Sequence, residues 1–179
     1  MVPSPNTKQM SRRDLLKSGA AVGVAVIAGA GFVAGSTGAW ALEVKALKPE
    51  TMATLIQVAR DIYPHDRVAD SFYALAVKSH DDKAADDAAH KTLIEDGIAE
   101  LDTMAQAAGA AGYADMGWEA DRTALLHKIS DGGFFQTVRG GLVVGLYNQK
   151  PLWPLFGYEG ASFEEGGYLE RGFDDINWL

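Results

Sequence analysis

The side chains able to do chemistry are sparse, and they are histidines and carboxylates. His65 stands in Tyr63-Pro64-His65-Asp66, a loop histidine beside a carboxylate. It could act as an acid–base group or simply close a turn, and no nucleophile lies near it in the chain. Asp81, Asp82, Asp86, Asp87 and His90 form a dense cluster. Asp86 and Asp87 precede His90 by helical spacings, so the three could chelate a metal ion. A di-metal bundle needs further Glu or Glu-x-x-His sets on facing helices, and the sequence has no matching second motif. The acids therefore read as a solvated first helical turn, where negative charge offsets the helix dipole. His127 falls beside apolar helical positions and reads as a packed or surface histidine. Glu164-Glu165 and Asp174-Asp175 could bind calcium, but such pairs are more often solvated or matched to a basic partner surface.

With no nucleophile–base set, no metal constellation and no cofactor cradle, no catalytic, cofactor-binding or metal-binding residue is assigned. The absence of cysteine rules out disulfides, cysteine-ligated zinc, iron–sulfur clusters and covalently attached c-type haem. Haem held by histidine or methionine in a helical bundle stays open, without an axial pair that stands out. Residues 1–41 carry Lys8, Arg12, Arg13 and Lys17 against Asp14, so the remaining chain holds 12 basic against 23 acidic residues. A body so acidic disfavours nucleic acid and anionic lipid as partners.

Helices must position these residues. Pro49 suits a first helical turn, with Met52, Leu55, Ile56, Ala59 and Ile62 recurring behind it and Tyr63-Pro64 as the stop. Val68, Phe72, Leu75 and Ala76 mark a second, short helix, which the polar run Ser79-His80-Asp81-Asp82-Lys83 should break. A long third helix is expected from about Ala84, with Ile94, Ile98, Leu101, Ala105 and Ala108 on one face and Gly109 and Gly112 as its stop. Trp118, Leu125 and Ile129 indicate a fourth, ending near Ser130-Asp131-Gly132-Gly133. The fifth runs from Phe134 to Tyr147. It contains Gly140, Gly141 and Gly145, each costing roughly 1 kcal/mol relative to alanine in a helix interior. Thr137, Gly141 and Gly145 share a face, suited to tight packing on another helix or to a flat surface for a partner. No alternating strand is convincing. The expected class is all-α, a bundle of about five helices over residues 42–147.

Both ends differ from this bundle. Ser11-Arg12-Arg13-Asp14-Leu15-Leu16-Lys17 matches the twin-arginine export pattern, with Arg12 and Arg13 as its signal. A Gly/Ala-rich stretch follows, and Ala39-Trp40-Ala41 offers the small residues a signal peptidase reads, making residues 1–41 a leader. Retained, this stretch of roughly 19 residues reaches the ~20 that span a bilayer, though its many glycines make it a weak span. Inside it, Val24 to Gly35 imitates a strand followed by a glycine-rich dinucleotide fingerprint, but without the βαβ unit such a site requires. At the other end, residues 148–179 hold seven of the 17 aromatic residues, interleaved with five glycines. That mixture fits neither helical nor strand period, so the segment should be an irregular arm. It either wraps its own domain or docks a second protein, with Trp153, Phe156, Tyr158, Tyr168, Phe173 and Trp178 as the anchors.

The run Phe134-Phe135-Gln136-Thr137-Val138-Arg139, the turn at Tyr147-Asn148, Leu155-Phe156-Gly157-Tyr158-Glu159-Gly160 and Gly166-Gly167-Tyr168 resemble the gluconate 2-dehydrogenase subunit 3 family. The resemblance is clearest from about residue 134, and the chain lacks the Tyr-Gly-Gly-Asn-like insert of the gluconate-type pattern. It implies a small, non-catalytic subunit exported by the twin-arginine translocon to the periplasm, where its complex can associate it with the membrane. Its partner would be an FAD-containing large dehydrogenase subunit of the glucose–methanol–choline type, acting on CH–OH groups of sugars, polyols or sugar acids. A multihaem cytochrome c can complete such complexes. The small subunit supplies the export signal and supports maturation of the flavoprotein, and the chain itself carries no cofactor. The reading that competes with it is an independent exported helical protein binding metal or haem for redox work.

Overall fold

A computed structural model describes residues 24–27, 31–35, 38–169 and 173. Arg12, Arg13 and Trp178 lie outside the described residues. The class is all-α, and five α-helices build the body: α1 (Pro49–Ile62), α2 (Asp70–Asp86), α3 (Ala88–Ala107), α4 (Glu119–Lys128) and α5 (Gly133–Gly145). Helix α1 is the centre. All four other helices pack on it, and nine of its 14 residues are buried, among them the polar Thr51, Thr54, Gln57 and Asp61. One apolar face was expected of α1. A helix covered on every side also buries its polar positions, and each then needs a partner. Thr51 donates to Glu95 at 2.7 Å and Gln57 to Asp61 at 3.0 Å.

Most helix ends fall where local chemistry puts them. Pro49 opens α1, and Tyr63, ahead of Pro64, leaves the helical region at φ −129°, ψ 76°. Helix α3 stops at Ala107, two residues before Gly109, whose φ of +90° is the left-handed conformation that glycine adopts without a Cβ penalty. In α3, Gly97 leaves room for Phe134, because a Cβ there would stand 2.2 Å from the ring. Ile94, Ile98, Leu101 and Ala105 face the core as expected, while Ala108 is exposed beyond the helix end.

Two expectations are corrected. Helix α2 does not break at Ser79–Lys83 but continues for 17 residues to Asp86. Its polar residues find distant partners: Asp81, fully buried, accepts from the backbone N–H groups of Lys45, Ala46 and Leu47, each at 2.9 Å. The true break is one residue wide, at Asp87, whose side chain caps α3 by accepting from the His90 N–H at 2.9 Å.

Strands are present as well. β1 (Val24–Ile27), β2 (Phe32–Gly35) and β3 (Ala41–Glu43) form an antiparallel sheet in that order, pairing Val26 with Val33 and Val33 with Leu42. The glycine-rich imitation of a nucleotide fingerprint is thus a hairpin. Its β1 and β2 lie on α1, and Val33 is fully buried in the same core as Met52 and Leu55. Ala39 and Ala41 are both exposed, Ala41 within β3. Cleavage after Ala41 would remove β1 and β2, and Val33 with them.

Candidate docking tail and the buried groups behind it

The chain leaves α5 through Tyr147 and enters a 3-10 turn, Lys150–Phe156, with prolines at positions 151 and 154. Proline fixes φ and lacks a donor, so this segment cannot extend α5 and must be held by side chains. Three holds are visible. Leu152 is fully buried in the main core. Gln149 donates from Nε2 to the carbonyls of Phe72 (2.9 Å) and Gly145 (2.7 Å), tying the end of α5 to α2. The Trp153 indole N–H donates to the Tyr147 carbonyl at 3.0 Å, and its ring meets Tyr158 edge-on at 5.0 Å.

His65 completes the hold from the opposite side. Its Nε2 lies 2.7 Å from the Tyr147 hydroxyl, and its ring meets those of Tyr147 and Phe156 edge-on at 5.6 and 5.0 Å. Burial, with Tyr63 nearby, raises the Tyr147 pKa above the ordinary phenol value, so the hydroxyl keeps its proton at neutral pH. Of the sequence's two readings of His65, the turn is present, since its carbonyl accepts from Val68 N–H, and its ring in addition clamps the tail.

Beyond Gly160 the character changes. Gly160 is buried at φ +112°, with its open side toward Trp153. After it comes a single 3-10 turn, Ser162–Glu165. Phe163 and Leu169 are 93% and 89% exposed, and Tyr168 and Phe173 are also well exposed. The expected anchors therefore divide. Trp153, Phe156 and Tyr158 are gathered in a stem on the body, Phe156 and Tyr158 still about half-exposed, whereas Tyr168 and Phe173 stand apart in the arm. Sequence reasoning missed Leu152 and the His65–Tyr147 clamp. Leu152 between two prolines and His65 directly after a helix-ending proline were the available signals.

The platform beneath the stem is a seam between α2 and α5. A Cβ on Gly145 would lie 2.9 Å from the Ala76 carbonyl oxygen, and one on Gly141 would lie 2.9 Å from His80 Nε2. Glycines on the shared face thus serve close packing inside the body, one of the two uses expected for them. Gly140 has nothing within 4 Å and looks outward beside the exposed Val143 and Val144.

The acid cluster disperses. Asp82 pairs with Lys78, which also meets Asp81 at 2.9 Å. Asp86 is exposed, and Asp87 is a cap. Asp81 is the exception to the expected solvated turn: burial would raise its pKa, but the three backbone donors and Lys78 bring it below the usual carboxylate range. His90 turns inward instead, its Nε2 3.2 Å from Nδ1 of His80 with the rings stacked. His80 Nε2 is buried with no hydrogen-bond partner. Burial first, then the neighbouring His90 and Lys83, push the His80 pKa down to about 4, so the pair is neutral at pH 7. A second buried centre joins Asp61 to Arg122 (2.8 and 3.0 Å) and to the Tyr113 hydroxyl at 2.9 Å. His127 is exposed on α4.

Among the described residues, no three His, Asp or Glu side chains are gathered to hold a metal ion, and no helix is long and apolar enough to cross a membrane. A cleft of about 460 Å³ runs along α3, with Leu93, Gly97, Ile129 and Phe134 inside and Asp96 and Glu100 at its edge. Compared with known proteins, the chain matches no protein family, no curated protein and no solved structure. The resemblance of its last 46 residues to the gluconate 2-dehydrogenase subunit 3 family therefore rests on the motif residues alone.

Proposed function

We propose that this chain is a non-catalytic docking subunit that carries a larger FAD-dependent dehydrogenase of the glucose–methanol–choline type through twin-arginine export and holds it in the periplasm. The observation that carries the reading is the divided tail. A stem fixed to the body by Leu152, Trp153 and the His65–Tyr147 clamp presents an arm whose Phe163, Tyr168, Leu169 and Phe173 are left in water. Several large apolar side chains exposed in one short segment mark an interaction site rather than a stable free surface. The partner named here is what the resemblance of the aromatic–glycine motifs in the same segment implies, and the twin-arginine pattern at Arg12-Arg13 supports the export route. The partner would act on a CH–OH group of a sugar, polyol or sugar acid, with its electrons passing to a multihaem cytochrome c or another acceptor.

The test is affinity isolation of the tagged chain from its native periplasm, with an absorption spectrum of the eluate. A larger co-purifying protein with the yellow spectrum of an oxidised flavin is expected. A lone chain that is itself coloured or metal-loaded would overturn the proposal in favour of an independent redox protein.

A further inference from the structure

Six of the tail's seven aromatics, all but Phe156, follow a period that neither helix nor strand would produce. Trp153, Tyr158, Phe163, Tyr168, Phe173 and Trp178 stand five residues apart without exception. From Tyr158 to Phe173 each aromatic is followed within two residues by acid: Glu159, Glu164-Glu165, Glu170, Asp174-Asp175. A period of five scatters side chains around a helix and alternates them across a strand. Turns can restore a common side, and glycine falls in each of the three intervals between Tyr158 and Phe173: Gly160, Gly166-Gly167, Gly172. Gly160, Gly166 and Gly167 hold φ values of +112°, +86° and +84°, a conformation other residues adopt only with strain. Among the described residues, the arm turns at Gly160 and again at Gly166-Gly167, and along its sequence each ring from Tyr158 to Phe173 is followed by one or two acids.

Charge selects what the string can meet. Between Glu159 and Asp175 there are six acids and one base, Arg171. The body from residue 42 to 147 is itself acidic, carrying 17 acidic against 10 basic residues. Like charges brought together at short range disfavour contact, so neither this body nor a second copy of the chain is the complement of the arm.

We infer that the arm docks on a positively charged groove of the partner subunit, whose apolar pockets recur with the aromatic period and are each rimmed by lysine or arginine. This rests on the docking reading above and adds the chemistry of the surface docked upon. The rings would supply the depth of binding and the acids its rate and register.

The experiment uses the co-purified complex, dissociated and re-formed from its two purified subunits, with affinity measured against ionic strength. In one variant Glu164, Glu170, Asp174 and Asp175 become amides (E164Q, E170Q, D174N, D175N); Glu159 and Glu165, which contact their own chain, are left alone. In a second, Phe163, Tyr168 and Phe173 become alanine. The amide variant should bind roughly tenfold or more weakly at low salt and lose most of the salt dependence, since rim charges act through screened long-range attraction. The alanine variant should lose on the order of 100-fold or more while keeping the wild-type salt slope. Both should melt at the wild-type temperature as isolated chains. A complex whose affinity and salt slope ignore the four amides overturns the inference and leaves the docking reading standing. Failure of the unaltered chain to bind any flavoprotein overturns both. A chain that dimerises through the arm overturns the inference in favour of self-association.

Discussion

Acid should loosen the body as the pH falls below about 6.5, and the His80–His90 pair fixes how much. His80 has the ordinary pKa of 6.5 when unfolded and about 4 when folded, so the unfolded chain binds the extra proton between those values. Stability is then fully present above pH 6.5 and is lost as the pH falls toward 4. A shift of one unit corresponds to about 1.4 kcal/mol, so His80 alone withdraws about 2 kcal/mol by pH 5 and about 3 kcal/mol by pH 4. His90, lowered by its own burial, acts in the same direction. Asp81 and Glu95 have depressed pKa values, so their contributions are lost only at lower pH, beneath the histidine window. The assay is urea unfolding followed by circular dichroism at pH 7.5, 6.5, 5.5 and 5.0, on the wild type and on His80→Asn. Wild-type stability should fall by about 2 kcal/mol across that range, and the variant, though weaker at pH 7.5, should show a slope flatter by most of that amount. Equal slopes for the two proteins would mean that His80 is not held neutral by its surroundings, and the reasoning would fail.

Other perturbations follow from packing. Gly145→Ala should destabilise by about 1–2 kcal/mol, because overpacking against the fixed Ala76 backbone outweighs the gain in helix propensity; Gly140→Ala, in open space, should stabilise by about 0.5–1 kcal/mol, and paired thermal melts would separate the two. Arg122→Met should cost about 3–5 kcal/mol by leaving Asp61 buried without its cation, whereas the double variant with Asp61→Asn should recover part of that loss in urea unfolding. A double variant as unstable as Arg122→Met alone would show that the carboxylate was not the cause.

What the sequence reveals here is what is decided locally. Pro64 and Gly109 end helices by their own backbone restrictions, and the α5 glycines announce a close approach wherever the partner helix lies. The missed features are held over long separations. Helix α2 runs through Ser79–Lys83 because Asp81 is satisfied by backbone more than 30 residues earlier, and no local signal carries that. A strand from Val24 was legible in the sequence, but its pairing into a sheet was not, because Gly/Ala-rich segments barely alternate in hydropathy and β1 and β2 are placed by lying on α1. Likewise the pairing of Asp61 with Arg122, 61 residues apart, makes a buried ion pair of two residues that each look solvent-bound in isolation. The tail was legible as an irregular aromatic arm. Its division into stem and arm depended on Leu152 and His65, whose partners are contributed by the body.

The double hook of Gln149 has a mechanical meaning. One amide grips carbonyls at the ends of two helices, and Leu152 is embedded just beyond it, so tension on the arm is divided between α2 and α5 instead of unwinding the last turn of α5 alone. Tension along this path also reaches the Gly145–Ala76 seam, where the two helix backbones come close. A load on the arm would be borne by both helices together.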